Sequence, residues 1–275
     1  MVKGPDVLNC PDSPELRVAI EAARIGSEIV LHYFHLGAEI RSKPGEQTYN
    51  LVSDADIQSE KAIAAFIRSQ FATHAILGEE EQVADTRAEH LWIVDPLDGT
   101  NNFAHRIPHF AVSVAYYHCG EPQVGVVFNP VREDWYWARR GYGAYHNGRR
   151  MQVSPATRLS ESMIGVGFYY DRGAMMQATL NAIHDFFKCE IHGIRRFGTA
   201  ALDLCHVADG LYGAYFEYQL APWDFAAGQL IVREAGGCVS DGRGQELPLT
   251  KSSLLASNGT LHSAAQEIVK RHHLD

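Results

Sequence analysis

Trp92-Ile93-Val94-Asp95-Pro96-Leu97-Asp98-Gly99-Thr100-Asn101-Asn102-Phe103 runs from an apolar stretch straight into two carboxylates, a glycine and a hydroxyl-bearing helix start. Leu91-Trp92-Ile93-Val94 reads as a short buried strand, which puts Asp95 at a strand's carboxyl end, where open α/β folds hold their ligands. Asp98 follows across a turn begun by Pro96, and the chain folds back so that both carboxylates can reach hard cations between them. Donors that are all oxygen favour magnesium over zinc. Gly99 lets a ligand approach the backbone closely, and its N–H and that of Thr100, at a helix N-terminus, would attract an anion. Metal and phosphate therefore meet at one turn.

Asp, Pro and Gly also build ordinary strand-to-helix turns, so this segment alone leaves Asp95 and Asp98 open to a structural role. Two further segments argue for chemistry. Ala75-Ile76-Leu77-Gly78-Glu79-Glu80 is another short apolar strand ending in acids, and Ala221-Pro222-Trp223-Asp224-Phe225-Ala226-Ala227-Gly228 places an acid at a helix start. Three separated acidic sites suit one multi-metal centre.

Gly78-Glu79-Glu80, Asp95 to Phe103 and Trp223 to Gly228 resemble, in order and spacing, the three signatures of the inositol monophosphatase family. The likeness continues through Leu51-Val52-Ser53-Asp54-Ala55-Asp56, Gly193-Ile194-Arg195-Arg196-Phe197-Gly198-Thr199-Ala200-Ala201 and Glu234-Ala235-Gly236-Gly237, so it covers nearly the whole chain. The resemblance implies a mixed α/β, α+β fold, a layered α-β-α-β-α sandwich of the sugar phosphatase type, commonly a homodimer. It also implies two to three Mg2+ ions. The first would lie on Glu79, Asp95 and the Leu97 carbonyl, the second between Asp95, Asp98 and Asp224, and a third on Glu79 and water. Lithium would inhibit by replacing the magnesium at Asp95, Asp98 and Asp224.

By the same likeness Thr100 hydrogen-bonds the nucleophilic water with Asp56 behind it, so Thr100, Asp56 and Glu79 are the expected catalytic residues. Asp98, Gly99, Thr100, Ala200, Glu217 and Asp224 are expected to bind substrate, and Glu80 to be an outer or surface acid. Asp56 reads equally as a helix N-terminal residue after Ser53 and Asp54, and the two roles are compatible. The implied activity is magnesium-dependent hydrolysis of a small phosphorylated polyol or sugar, foremost inositol 1-phosphate, by in-line attack of metal-activated water with no phosphoenzyme. Phe168-Tyr169-Tyr170-Asp171-Arg172 resembles the bacterial and archaeal branches, which leaves fructose 1,6-bisphosphate, histidinol phosphate and a nucleotide 3′-phosphate as alternatives. Arg172, Arg195 and Arg196 read either as partners of a second phosphate or as surface and structural charge. A non-catalytic partner-binding protein on the same fold is the alternative of another class, and the complete set of acids argues for catalysis.

At 275 residues and 46% hydrophobic, the chain can bury a sizeable core and reads as one domain over 1–275 without a linker. Its halves, about 1–150 and 151–275, are expected to hold the site between them. A net charge of -9 argues against direct nucleic-acid binding. Cys10, Cys119, Cys189, Cys205 and Cys238 lack paired metal-ligand spacing and read as reduced thiols. Met1-Val2-Lys3-Gly4-Pro5-Asp6 lacks the apolar core of a signal peptide and no later run could span a bilayer, so no membrane contact and a cytoplasmic location are expected. The histidines, His109, His118 and His206 among them, form no compact ligand motif and read as scattered.

Ser13-Pro14-Glu15 opens a long helix ending near Gly37. Residues 110–116, 123–128 and 134–138 read as consecutive antiparallel strands with turns at Gly120-Glu121-Pro122 and Asn129-Pro130, and 141–148 as a hairpin whose aromatics belong to the core. The second half alternates: helices around 174–187 and 199–207, a strand over 213–217, and a helix opening at Trp223 and stopped by Gly236 and Gly237. That alternation implies mixed or parallel pairing.

Overall fold

The computed structural model describes residues 13–37, 39–42 and 51–274. Cys10 and the hexapeptide Met1–Asp6 lie outside the described residues. Ser13 caps α1 (Pro14–Leu36) by accepting the N–H of Leu16, and Pro14 fills a first-turn position that has no hydrogen bond to lose. The ribbon β1 (Ile40–Ser42) and β2 (Leu51–Ser53) leads into α2 (Asp54–Gln70). Next come β3 (Ala75–Gly78), β4 (His90–Asp98), the short α3 (Thr100–Ala104), β5 (Ala111–His118), β6 (Glu121–Asn129), β7 (Asp134–Arg139), β8 (Gly143–His146) and β9 (Arg149–Arg150). The remainder is β10 (Met163–Val166), α4 (Ala174–Lys188), β11 (Gly193–Arg195), α5 (Ala200–Ala208), β12 (Ala214–Leu220), α6 (Pro222–Glu234), β13 (Cys238–Ser240), β14 (Ser252–Ser257) and α7 (His262–His272).

Strands β3 to β9 form a seven-stranded sheet in sequence order, antiparallel except for the parallel β3–β4 pair. The second sheet has the order β11-β10-β12-β14-β13 and is mixed, as the alternation of helix and strand implied. Helices α1 and α2 cover one face of the first sheet. Helices α5 and α6 lie between the sheets, and α4 and α7 cover the far face of the second. The result is a layered α-β-α-β-α sandwich with an apolar core at each buried interface. Among the described residues no helix is long and apolar enough to cross a membrane.

A strand buried on both faces needs apolar residues at every position. In β4, Leu91 and Ile93 join the core shared with α5 and α6, while Trp92 and Val94 join the core under α1 and α2. The β7 aromatics Trp135, Tyr136 and Trp137 are likewise buried. Helix α6 sits close on the sheet because Gly125 of β6 has no side chain: a Cβ there would stand 2.6 Å from the Ala227 carbonyl oxygen. The expected turn at Gly120-Glu121-Pro122 is one residue shorter and earlier. Cys119 and Gly120, with φ of 51° and 78°, make a two-residue hairpin turn, and Pro122 falls inside β6 opposite Tyr117 at a register shift, where a strand tolerates a residue without N–H.

Candidate metal centre

Asp95 and Asp98 are not separated by a turn, as the proline had suggested. β4 continues to Asp98, and its pairing with β5 jumps from Asp95 opposite Ser113 to Asp98 opposite Ala111. Residues three apart on a regular strand point to opposite faces. The irregularity reverses that parity: Leu97 joins the core under α1 and α2, while the carboxylates of Asp95 and Asp98 both face α6. Pro96 has no N–H to lose from the ladder, and its carbonyl accepts the Ser59 hydroxyl of α2 at 3.2 Å.

Asp224, in the first turn of α6, completes the group. One oxygen from each of Asp95, Asp98 and Asp224 lies within 4.8 Å of the others. Asp95 is 1% and Asp98 7% exposed, too little water to sustain adjacent negative charges. Burial, followed by the neighbouring carboxylates, pushes both well above the ordinary carboxylate range. Backbone N–H groups act the other way: Asp95 accepts from Leu97 at 3.0 Å, Asp98 from Ala201 at 2.7 Å, and Asp224 from Ala221 at 2.6 Å. The Ala201 bond seats Asp98 on the N-terminal turn of α5, where the helix dipole favours an anion. Two buried carboxylates and a half-buried third that repel one another fit a hard divalent cation, which would neutralise them.

Glu79 lines the same cavity of about 520 Å3, and its charge adds to the upward shift of Asp56, Asp95 and Asp98. The loop carrying it is held by Glu60 of α2, a fully buried carboxylate that accepts the N–H groups of Glu80 at 2.8 Å, Glu81 at 2.6 Å and Gln82 at 2.9 Å. Gly78 leaves room for it, since a Cβ there would be 2.4 Å from Glu60. Sequence reasoning passed over Glu60; its only signal is an acid on the apolar face of α2, one turn beyond Asp56.

Asp56 makes two sets of contacts, one to its own helix and one to Thr100. One oxygen accepts the N–H and hydroxyl of Ser53 at 2.8 and 2.6 Å, closing a capping box at the start of α2. The other accepts the Thr100 hydroxyl at 3.1 Å. Burial pushes its carboxyl up to about 6, against the pull of those bonds. Thr100 Oγ1 also stands 3.1 Å from the Leu97 carbonyl, so its one proton serves two acceptors in turn. Gly99, at φ 94°, makes the left-handed turn into α3 that a side chain would strain. With five residues α3 has little dipole, so an anion would meet individual N–H groups.

The other wall comes from the second sheet. Tyr215 and Glu217, two apart on β12, face inward, and the tyrosine hydroxyl donates to Glu217 at 2.7 Å. Burial pushes the Glu217 carboxyl up to about 8. Gly167 allows this position, since a Cβ there would overlap Glu217 at 1.7 Å. Ala200 opens α5 at the cavity edge, and Glu80 and the ring-bearing Phe168, Tyr169 and Tyr170 also line it. Of the three arginines only Arg196 does so; Arg172 is exposed, and Arg195 is exposed and donates to the Ile194 carbonyl. Asp203 of α5 went unremarked in the sequence, yet it lies fully buried at the cavity wall with its carboxyl raised by burial.

The model of the inositol monophosphatase family matches residues 12–274. Over 222 residues the chain is 43% identical to an inositol-1-monophosphatase of Rhizobium meliloti, covering 80% of this chain and 83% of that one. It is 38% identical over 264 residues to the Nus factor SuhB of Pseudomonas aeruginosa, covering 94% and 97%. The crystal structure of the extragenic suppressor protein suhB of Bartonella henselae superimposes with a TM-score of 0.87 at 35% identity, covering 94% and 99%.

Proposed function

The chain belongs to the inositol monophosphatase family, and from that premise we propose that it is a magnesium-dependent phosphate monoester hydrolase of small phosphorylated polyols, with inositol 1-phosphate first among its substrates. The observation that carries this reading is the Asp95, Asp98 and Asp224 cluster beside the Thr100–Asp56 hydrogen bond. Asp95, Asp98 and Asp224, with Glu79 and the Leu97 carbonyl, would hold two to three Mg2+ ions, whose chemistry there is to polarise the phosphate and the attacking water. Thr100 presents a hydroxyl lone pair to that water, and Asp56, pushed up to about 6, takes a proton passed through the hydroxyl. The N–H groups of Gly99 and Thr100 orient the phosphate. Glu217 and Asp224 accept from polyol hydroxyls, and the Ala200 N–H at the start of α5 donates to one. Asn102 supports this end by donating to the His109 and Phe197 carbonyls, each at 2.8 Å.

Phosphate release from inositol 1-phosphate, fructose 1,6-bisphosphate, histidinol phosphate and adenosine 3′,5′-bisphosphate tests the reading. Magnesium-dependent turnover of the first should fall by about 10² to 10³-fold in Asp95→Asn, the scale of removing one transition-state electrostatic contact. Near-wild-type turnover by that variant would refute the metal assignment. The Nus factor name of the Pseudomonas relative favours a second reading, partner binding on the same fold. Absence of magnesium-dependent release from every ester would turn the choice to it.

A further inference from the structure

Glu89, His118 and Cys119 meet on the surface at the opposite end of β4 from the acidic cluster. The sequence reading left this histidine and this thiol as scattered residues. One carboxylate oxygen, one ring nitrogen and the sulfur lie within 4.8 Å of one another. His118 Nε2 stands 3.7 Å from Cys119 Sγ and 3.7 Å from Glu89 Oε1. The sheet holds them there: the Cys119 N–H donates to the Glu89 carbonyl at 2.7 Å, and His90, next to Glu89, pairs across the strands with His118. His90 borders the group, with Nε2 3.9 Å from Glu89 Oε1 and its ring stacked 4.8 Å from that of His118. Its Nδ1 lies 2.7 Å from the Tyr116 hydroxyl, which holds the ring stacked beside His118.

We propose that Glu89, His118 and Cys119 form a second metal site that takes a borderline-soft cation such as Zn2+, with solvent in the fourth position. Sulfur, nitrogen and oxygen donors suit tetrahedral zinc, whereas the oxygen-only group at Asp95, Asp98 and Asp224 suits magnesium. Tetrahedral Zn–S and Zn–N bonds separate sulfur from nitrogen by about 3.5 Å, so the observed 3.7 Å requires only small side-chain rotations. Glu89 and His118 side chains are 72% and 45% exposed, which leaves the site open to a cation from solution. Six residues of strand separate Glu89 from Asp95, roughly 20 Å at strand rise, so an ion here ties β4 to the β5–β6 hairpin without entering the cavity.

Reduced protein saturated with Mg2+ should be titrated with Co2+ while thiolate-to-cobalt charge-transfer absorption is followed, and then with Zn2+ against a chromophoric chelator. The expected result is one equivalent of Co2+ with a sulfur band that Zn2+ displaces. Cys119→Ser should abolish the band, and His118→Ala should weaken Zn2+ binding by about tenfold or more. Cobalt in the carboxylate centre would give no sulfur band, and a band from Cys10, Cys189, Cys205 or Cys238 would survive in Cys119→Ser. Absence of the band from the parent protein, or a band and Zn2+ affinity unchanged in both variants, would overturn the proposal.

Discussion

A carboxyl shut away from water keeps its proton to higher pH than an exposed one, and Glu217, pushed up to about 8 chiefly by burial against the pull of the Tyr215 hydroxyl, makes that measurable. In the unfolded chain it ionises near 4.5, so between about 4.5 and 8 the native state binds more protons than the unfolded state. Its contribution to metal-free stability is therefore complete below that window and lost as pH rises through it. Urea unfolding of metal-free protein across this range should show stability falling with pH, and Glu217→Gln should flatten the fall; an unchanged slope would contradict the assignment. At this scale the sequence was legible where a residue carries its own chemistry, as Asp95, Asp98, Asp224 and Thr100 do. Glu217 came only from the family resemblance. Glu60 and Asp203 stayed hidden, because an acid within a helix pattern does not announce what it will face.

At the scale of elements, the helices matter less for their length than for what their first turns hold. The capping box of α2 spends one Asp56 oxygen on the helix and leaves the other for Thr100. One turn later Glu60 fixes the loop that carries Glu79 through three N–H groups. Glu60→Ala should cost about 3 kcal/mol in stability, the scale of a small set of hydrogen bonds to a charged group, and should raise the Mg2+ concentration needed for activity. Unfolding and Mg2+ titration of activity check both parts; unaltered Mg2+ dependence would show that Glu60 does not position Glu79. The strand and helix spans were largely readable from periodicity, caps and turn residues. The irregularity in β4 was not, because Asp-Pro-x-Asp reads as a turn until a partner strand shows that pairing continues.

Across the whole molecule the site is a junction of layers: Asp95 and Asp98 come from the seven-stranded sheet, Asp224 from the middle helices and Glu217 from the five-stranded sheet. Cations bound there would join elements that carboxylate repulsion otherwise pushes apart. Magnesium at about 100 times its dissociation constant should stabilise the protein by about 2.7 kcal/mol per site, and chelation should reverse the gain. Asp95→Asn should lose most of this response while melting higher than the metal-free parent, since it removes a carboxyl whose ionisation burial and its neighbours oppose. Thermal unfolding with and without chelator decides it, and an undiminished magnesium response in the variant would refute the junction. By itself the sequence offered candidate oxygen donors beside strand and helix ends, apolar runs that read as buried strands, and an alternation of helix and strand, while the layered sandwich was implied by the family resemblance. Only the tertiary structure decided that Asp95 and Asp98 share a face, that Glu60 holds the loop following Glu79, and that Glu89, His118 and Cys119 meet. Each depends on pairing between segments distant in sequence, and such register is set by packing across the sheet rather than by local residue pattern.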